Sequence, residues 1–379
     1  MLVNGGEAAL DCRREIRRVA FIHPFQLVMR RGIEAYIWEL TSAFARRGIY
    51  TEIITWDGPV IPPATLDSRV VIRRAVSSRY FQSAVATPFL LYFMFRGKFD
   101  HVFVNFAGYG EGTVLRALEK IRPLPFSVVL HYPPALVPHR YAEFEHWSLQ
   151  RDAANIIAVS QHVALQAEKR FARKCTVIGH GVDSMRFRPS LEARQLIRAR
   201  LGIPDTSPVL ITTAALEERK GIQWVLRALP HLSEGFPDVK YLVLGDGSFK
   251  AELYRLSQEL GVTARVMFLG AVDDVASYLA AADIGLLLSR GEASPVTLLE
   301  YAASGLPVIT SQQPPFDELV HPEWGRCLDE EDALAVCHEI ANLILNPNAR
   351  DSMGQNGRRY VQQHHTWEAV AGEYLALVG

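Results

Sequence analysis

The chain has 379 residues, 49% of them apolar and 21% charged, with a formal net charge of −1. That length exceeds one usual core and predicts two domains of ordinary globular make-up, while the balanced charge supplies no basic field for nucleic acid. Cys12, Cys175, Cys327 and Cys337 form no C-x-x-C pair, so neither a zinc site nor a disulfide framework is expected, and a reducing cytosol fits.

Glu7, Asp11, Arg13 and Arg14 precede any long apolar run, which argues against a signal peptide. No stretch reaches the roughly 20 apolar residues that a spanning helix needs. Val19 to Ile22 reads as a short buried strand, followed by a loop holding Arg31-Gly32. Ile33, Tyr36, Ile37, Leu40 and Phe44 then recur at helical spacing. Arg46 and Arg47 suit the negative end of that helix, and Thr51 to Thr55 is the next strand. The segment Ala84 to Phe95 is apolar and flanked by Arg73, Arg74, Arg79, Arg96 and Lys98. It is either a helix covering the first sheet or a surface that rests on an anionic membrane. Asp100 to Asn105, Phe126 to His131, Ile156 to Ser160 and Cys175 to Ile178 read as core strands. Pro189 to Ser207 is charged and reads as a linker that is helical until Gly202-Ile-Pro-Asp.

From Pro208 the opening pattern returns. Val209 to Thr213 is a strand, Lys220-Gly221 lies in a loop, and Ile222, Val225, Leu226, Leu229 and Leu232 form a helical stripe before the strand Lys240 to Leu244. Each half therefore opens strand, basic-Gly-Ile loop, helix, strand, which is the start of a doubly wound α/β sheet. Further strands are expected at Val266 to Gly270, Asp283 to Ser289 and Leu306 to Ser311, and helices from about Glu331 onward. Glu292 and Glu300 stand eight residues apart. The helix between them is expected to be capped by Ser294, to begin at Pro295 and to stop near Gly305. A helix start between two acids can hold an anion on its N–H groups while the acids bind hydroxyls; the plain alternative is a solvated acid beside an ordinary amphipathic helix.

Several motifs occur in one order: Arg31-Gly32, His131 after a mid-chain strand, Ile178-Gly-His-Gly-Val-Asp183 running on to Phe187 and Pro189, Lys220-Gly221, Gly245-Asp-Gly247, and Glu292 to Glu300. Together they resemble the retaining GT-B glycosyltransferases of glycosyltransferase family four over nearly the whole chain. The resemblance implies two Rossmann-like domains facing each other across a cleft. Residues 1–190 would form the acceptor domain and 191–365 the nucleotide-sugar donor domain, with a final helix over 366–379 packing back on the first. It implies that Lys220 neutralises the donor's diphosphate, that Glu300 accepts hydrogen bonds from the ribose, and that Glu292 binds the transferred sugar. Val296 and Thr297 would offer N–H groups to phosphate, and His131 would lie beside the anomeric centre. Gly32 would admit the phosphate or acceptor, Gly245 and Gly247 would shape the nucleotide floor, and the turn ending at Val272 would meet the base. Other readings stay open: Lys220 as a solvated cap residue, His131 as a satisfied core histidine, Gly-Asp-Gly as a common turn. His139, His162, His180, His364 and His365 read as structural or surface residues.

The chain departs from the family pattern at Ala215, where an arginine is usual, and at Pro295, which has no N–H. Arg290 and Arg31 are candidates for the missing cation, whereas Arg219 is expected to point away from Lys220. His180 replaces a frequent asparagine. The implied reaction is retaining transfer by front-face attack, in which the departing phosphate oxygen takes the acceptor's proton. Glu292 and Glu300 do not fit the paired carboxylates of a retaining hydrolase. There is no D-x-D sequence, Asp273 and Asp274 being adjacent, so no metal and no cofactor are expected beyond a nucleotide-sugar co-substrate, a uridine diphosphate sugar ahead of a guanosine diphosphate one. The acceptor would be a glycan, a lipid-linked molecule or a small hydroxyl compound. The protein would be cytoplasmic, with peripheral membrane contact through 84–95, and would serve surface polysaccharide or glycolipid synthesis. A nucleotide-sugar epimerase on the same architecture and a non-catalytic nucleotide-sugar-binding scaffold are the rival readings.

Overall fold

A computed structural model describes residues 15–23, 32–55, 59–64, 66–74, 92, 95–105, 124–133 and 155–379. Cys12, Arg31, Arg79, His139 and most of the 84–95 segment lie outside the described residues.

The first sheet contains β1 (Arg18–Ile22), β2 (Tyr50–Thr55), β3 (Val70–Arg74), β4 (His101–Val104), β5 (Phe126–Leu130), β6 (Asn155–Ala158) and β7 (Thr176–Val177), ordered β3-β2-β1-β4-β5-β6-β7. The second contains β8 (Val209–Thr213), β9 (Lys240–Leu244), β10 (Val266–Gly270), β11 (Ile284–Leu287), β12 (Val308–Ser311) and β13 (Gly325–Leu328), ordered β10-β9-β8-β11-β12-β13. The register is parallel throughout both sheets, for example Ala20 beside Glu52 and Val102, and Ile211 beside Leu242 and Gly285. Parallel strands need crossovers that cover both faces, so their sequences are near-continuous apolar runs; Val19 to Ile22 and Leu210 to Ile211 are fully buried. In each sheet the strand order reverses beside the first strand. At β1/β4 and β8/β11 the crossovers leave on opposite faces, and a crevice opens at the carboxyl ends of the strands.

Helix α1 (Gly32–Arg46) buries Tyr36, Ile37, Leu40 and Phe44 on the first sheet, the stripe expected from their spacing. Helix α2 (Gln161–Phe171) starts on Ser160, whose side chain accepts from the Val163 N–H. Helix α3 (Leu191–Leu201) runs as expected up to Gly202, which closes it at φ +66°, and two of its charges are drawn into the second domain. Arg194 and Arg198 both pair with Asp283 at 2.8 Å, and Arg198, 1% exposed, also donates to the carbonyls of Ala281, Pro204, Asp205 and Ser207. These bonds bind α3 to the base of the second sheet. There follow α4 (Ile222–Gly235), α5 (Lys250–Glu259), α6 (Val275–Ala281), α7 (Val296–Ala303), α8 (Phe316–Leu319), α9 (Ala333–Leu345), α10 (Pro347–His364) and α11 (Trp367–Val378).

Strand β3 was not expected. Arg73, read as a basic flank of the apolar segment, lies in it and donates to the buried Glu52 at 3.2 Å. The last helix rejoins the first core: Trp367, Val370, Ala371 and Tyr374 pack with the first sheet's residues, Tyr36 donates its hydroxyl to Tyr374 at 2.8 Å, and Arg46 pairs with Glu368 at 2.7 Å. No helix among the described residues is long and apolar enough to cross a membrane.

Candidate functional site

The carboxyl edge of the second sheet is built by close backbone approaches. Gly221 has φ +73°, and a Cβ there would lie 1.8 Å from the Leu288 carbonyl oxygen at the end of β11. Only glycine can take both that dihedral and that contact. Gly245 has φ +132°, and its Cβ would meet the Ala214 oxygen at 1.9 Å; one on Gly247 would meet the Leu216 oxygen at 2.4 Å. The Gly245 N–H donates to Gly270 O at 2.7 Å, and the Leu216 N–H to Asp246 O at 3.0 Å. The loops after β8, β9 and β10 are thereby stacked into one floor. Val272 is half-buried and packs against the second core.

Lys220 precedes Gly221 in a short 3₁₀ turn (Glu218–Lys220). Its ammonium donates to Glu292 Oε1, the two side chains being 15% and 13% exposed. Arg219 reaches the same oxygen, with Nη1 at 3.6 Å, while its Nε holds Glu217 at 2.8 Å. The expectation that Arg219 points away is therefore corrected. The Arg290 N–H donates to Arg219 O at 2.7 Å and fixes this turn against the loop after β11. Arg290 itself is paired elsewhere, with Nε on Glu330 and Nη2 on Glu331, both at 2.5 Å. Two cations thus converge on the Glu292 carboxylate, one of them shared with Glu217.

The helix between the two acids begins at Val296, one residue later than expected, with Pro295 in the capping position and no side-chain cap. Ser294 does not cap; its carbonyl accepts the Val296 N–H at 3.0 Å in a tight turn. That occupies one of the two amides expected to meet phosphate. The Thr297 N–H makes no hydrogen bond among the described residues and remains an open donor at the helix start. Gly305, with φ +77°, ends the segment as expected. Glu300 lies a little over one turn into α7, half-buried. Beside it, the Tyr301 hydroxyl accepts the Thr213 N–H at 2.7 Å and fixes α7 to the end of β8.

At the carboxyl edge of the first sheet, His23, Asn105 and His131 directly follow β1, β4 and β5, and all are buried. His131 Nε2 donates to Asn105 Oδ1 at 3.3 Å, which leaves Nδ1 as an acceptor without a partner among the described residues. The Tyr36 ring meets His131 edge-on at 4.7 Å. His180 stacks on it at 5.7 Å and 18°. Burial holds His131 well below the ordinary imidazole range, and neighbouring His180 and His23 add to this; burial pushes His23 and His180 down to about 4. These rings are neutral at pH 7. His131 is thus buried but not satisfied, and His180, expected to be merely structural or superficial, is its stacking partner. Ala293, next to Glu292, packs against the first core, so the acid loop of the second half touches the half that holds His131. Gly32 opens α1 at φ +58°, with nothing among the described residues within 4 Å of a Cβ position; that dihedral favours glycine.

Sequence reasoning does not single out Asn105, although it ends its strand as His131 does, and it places Arg219 and His180 outside the site; nothing in the spacing marks the turn of Arg219 towards Glu292.

Two family models tile the chain: Glycosyltransferase Family 4 matches residues 30–186, and Glycosyl transferases group 1 matches residues 193–360. A GDP-mannose-dependent monoacylated alpha-(1-6)-phosphatidylinositol monomannoside mannosyltransferase of Corynebacterium glutamicum is 31% identical over 232 residues, 58% of this chain and 60% of that one. The lipopolysaccharide core biosynthesis glycosyltransferase LpsE of Rhizobium meliloti is 31% identical over 188 residues, 48% of this chain and 52% of that one. The match thus spans about half the length of such curated relatives. Among solved structures, Anabaena HepE in complex with UDP superimposes with a TM-score of 0.79 at 18% identity, covering 95% of this chain and 99% of that one. Sucrose-phosphate synthase from Thermosynechococcus elongatus gives a TM-score of 0.77 at 22% identity, covering 95% and 98%. The fold is GT-B.

Proposed function

The chain belongs to the group 1 glycosyl transferases, and we propose that it is a retaining, metal-independent enzyme that moves a sugar from a uridine diphosphate donor to a hydroxyl acceptor. The observation that supports this best is the convergence of Lys220 and Arg219 on Glu292 in front of α7, at the switch point of the second sheet. A diphosphate entering there meets two cations and the Thr297 N–H. These groups supply the positive charge that a departing diphosphate needs, so the proposal requires no metal.

In this account residues 191–365 hold the donor and residues 1–190 with 366–379 hold the acceptor. Lys220 and Arg219 take the diphosphate. Glu292, released from Lys220, turns to the sugar hydroxyls, and Glu300 takes the ribose. Gly245, Gly247 and Val272 line the nucleotide. His131, neutral and with Nδ1 open, accepts from a hydroxyl near the reacting carbon. The leaving phosphate oxygen removes the acceptor's proton, so the enzyme supplies no covalent nucleophile and its largest contribution is electrostatic. The named relatives act on glycolipid and lipopolysaccharide acceptors; we extend this to a lipid-linked or glycan acceptor for this chain, met at the cytoplasmic face of a membrane.

A second reading concerns the donor alone. Several of the relatives are named as GDP-mannose-dependent, which favours a guanosine diphosphate sugar. Calorimetric titration with UDP, GDP, dTDP and ADP in the presence of a chelator separates the two. The uridine reading predicts UDP as the tightest ligand. Tenfold tighter binding of GDP would replace it, and no binding of any nucleotide would overturn the transferase reading.

A further inference from the structure

Three buried side chains at the carboxyl edge of the first sheet keep polar atoms with no hydrogen-bond partner among the described residues: Asn105 Nδ2, His131 Nδ1, and both ring nitrogens of His180. The residues are 1%, 5% and 6% exposed. They form one group, since Asn105 bonds His131 at 3.3 Å and His131 stacks on His180 at 5.7 Å. Burying such atoms unpaired is unfavourable. Packing alone would be served better by apolar residues of the same shape. The hydroxyl of Tyr36, whose ring contacts both imidazoles, does not satisfy them, because it is bonded to Tyr374.

His180 is also held firmly in place. Its carbonyl accepts from His365 Nδ1 at 3.2 Å, Val182 N–H donates to His365 O at 2.8 Å, and a Cβ on Gly181 would strike the Trp367 ring at 2.7 Å. A backbone fixed this way, carrying a ring with both nitrogens open, favours a preorganised ligand site.

We propose that Asn105 and His180 complete, with His131, a hydroxyl-binding pocket for an uncharged sugar group. The pocket offers an amide donor and neutral imidazoles, which suit hydroxyls rather than phosphate. The cations sit at the other edge, on Lys220 and Arg219. This assignment rests on the glycosyltransferase reading for the identity of its ligand. The hydroxyls belong either to the transferred sugar or to the acceptor.

The test uses the full chain carrying His180→Phe, which keeps the ring and removes both nitrogens, and separately Asn105→Leu. In His180→Phe the ligand-free melting temperature is expected to hold or rise, while kcat/KM for sugar transfer falls tenfold or more. A residue that serves structure alone would lower melting and activity together. A fall in melting with activity lost in proportion, or turnover at the wild-type level in both variants, overturns the pocket. A rise confined to the donor KM assigns the hydroxyls to the transferred sugar, and one confined to the acceptor KM assigns them to the acceptor. If the wild type transfers no sugar from any donor, the transferase reading fails by itself. The pocket is then read by thermal shift with free glucose, mannose and N-acetylglucosamine. Stabilisation of the wild type but not of His180→Phe supports it, and equal response of both overturns it.

Discussion

Replacing Lys220 by alanine separates the two things its ammonium does. In the free protein Lys220 is bonded to Glu292, both side chains being about six-sevenths buried. Truncation leaves that carboxylate with Arg219 Nη1 at 3.6 Å as its remaining cation. Losing one partner of a charged, largely buried hydrogen bond costs about 1–3 kcal/mol or more, so melting should fall. In the complex the lost contact is to diphosphate. A hydrogen bond to a charged group is worth about 1.5–3 kcal/mol, or roughly a 10- to 150-fold loss of donor affinity. Charge on the leaving group grows in the transition state, so turnover should drop further, by about 10²–10³. The double variant Lys220→Ala/Glu292→Gln removes the stranded charge; melting should recover while turnover stays low. The assays are thermal melting, calorimetric donor binding and chromatographic release of nucleoside diphosphate. Turnover of Lys220→Ala within threefold of wild type would refute the placement of the diphosphate beside Lys220.

Arg219→Ala should lower donor affinity about tenfold, while Arg290→Ala, whose guanidinium is held by Glu330 and Glu331, should leave it unchanged; calorimetry on both variants checks this. Gly221→Ala forces a Cβ to 1.8 Å from the Leu288 oxygen at φ +73°, so a loss of about 3 kcal/mol or more in urea unfolding is expected. Tyr301→Phe strands the buried Thr213 N–H and should cost about 1–3 kcal/mol, read in the same unfolding assay. His23 and His180, held near about 4 by burial, take up protons more readily when unfolded. Stability should therefore fall as pH drops from about 6.5 towards 4, by up to about 1.4 kcal/mol per unit for each ring. Urea midpoints across that range test the sign.

Much of the fold was legible because parallel strands buried on both faces announce themselves as runs such as Val19 to Ile22 and Val209 to Thr213, and α1 by the spacing of Tyr36, Ile37, Leu40 and Phe44. Strand β3 escaped because Arg73 and Arg74 masked the Val70-Val-Ile72 run; the pairing of Arg73 with Glu52 is a contact across strands that local pattern cannot show. The docking of the helix in 189–207 was hidden for the same reason, since Arg194 and Arg198 are held by Asp283, some 85 residues away. At the site, the glycines and the acid pair were visible as residue types at fixed spacing. Whether Arg219 or Arg290 would face Glu292 depended on the 3₁₀ turn at Glu218–Lys220 and on the two glutamates that capture Arg290. The unsatisfied state of His131 and His180 is a property of three-dimensional neighbours alone.

The central claim is that a nucleotide-sugar donor is cleaved at Lys220 without a metal. The measurement that tests it most directly is release of nucleoside diphosphate from UDP-, GDP-, dTDP- and ADP-sugars by the full chain, with chelator present and with polar lipids and oligosaccharides supplied as acceptors. The account predicts release from one class of donor, undiminished by the chelator and lost in Lys220→Ala. Release from none of them, release that the chelator stops, or equal release by wild type and Lys220→Ala would contradict it.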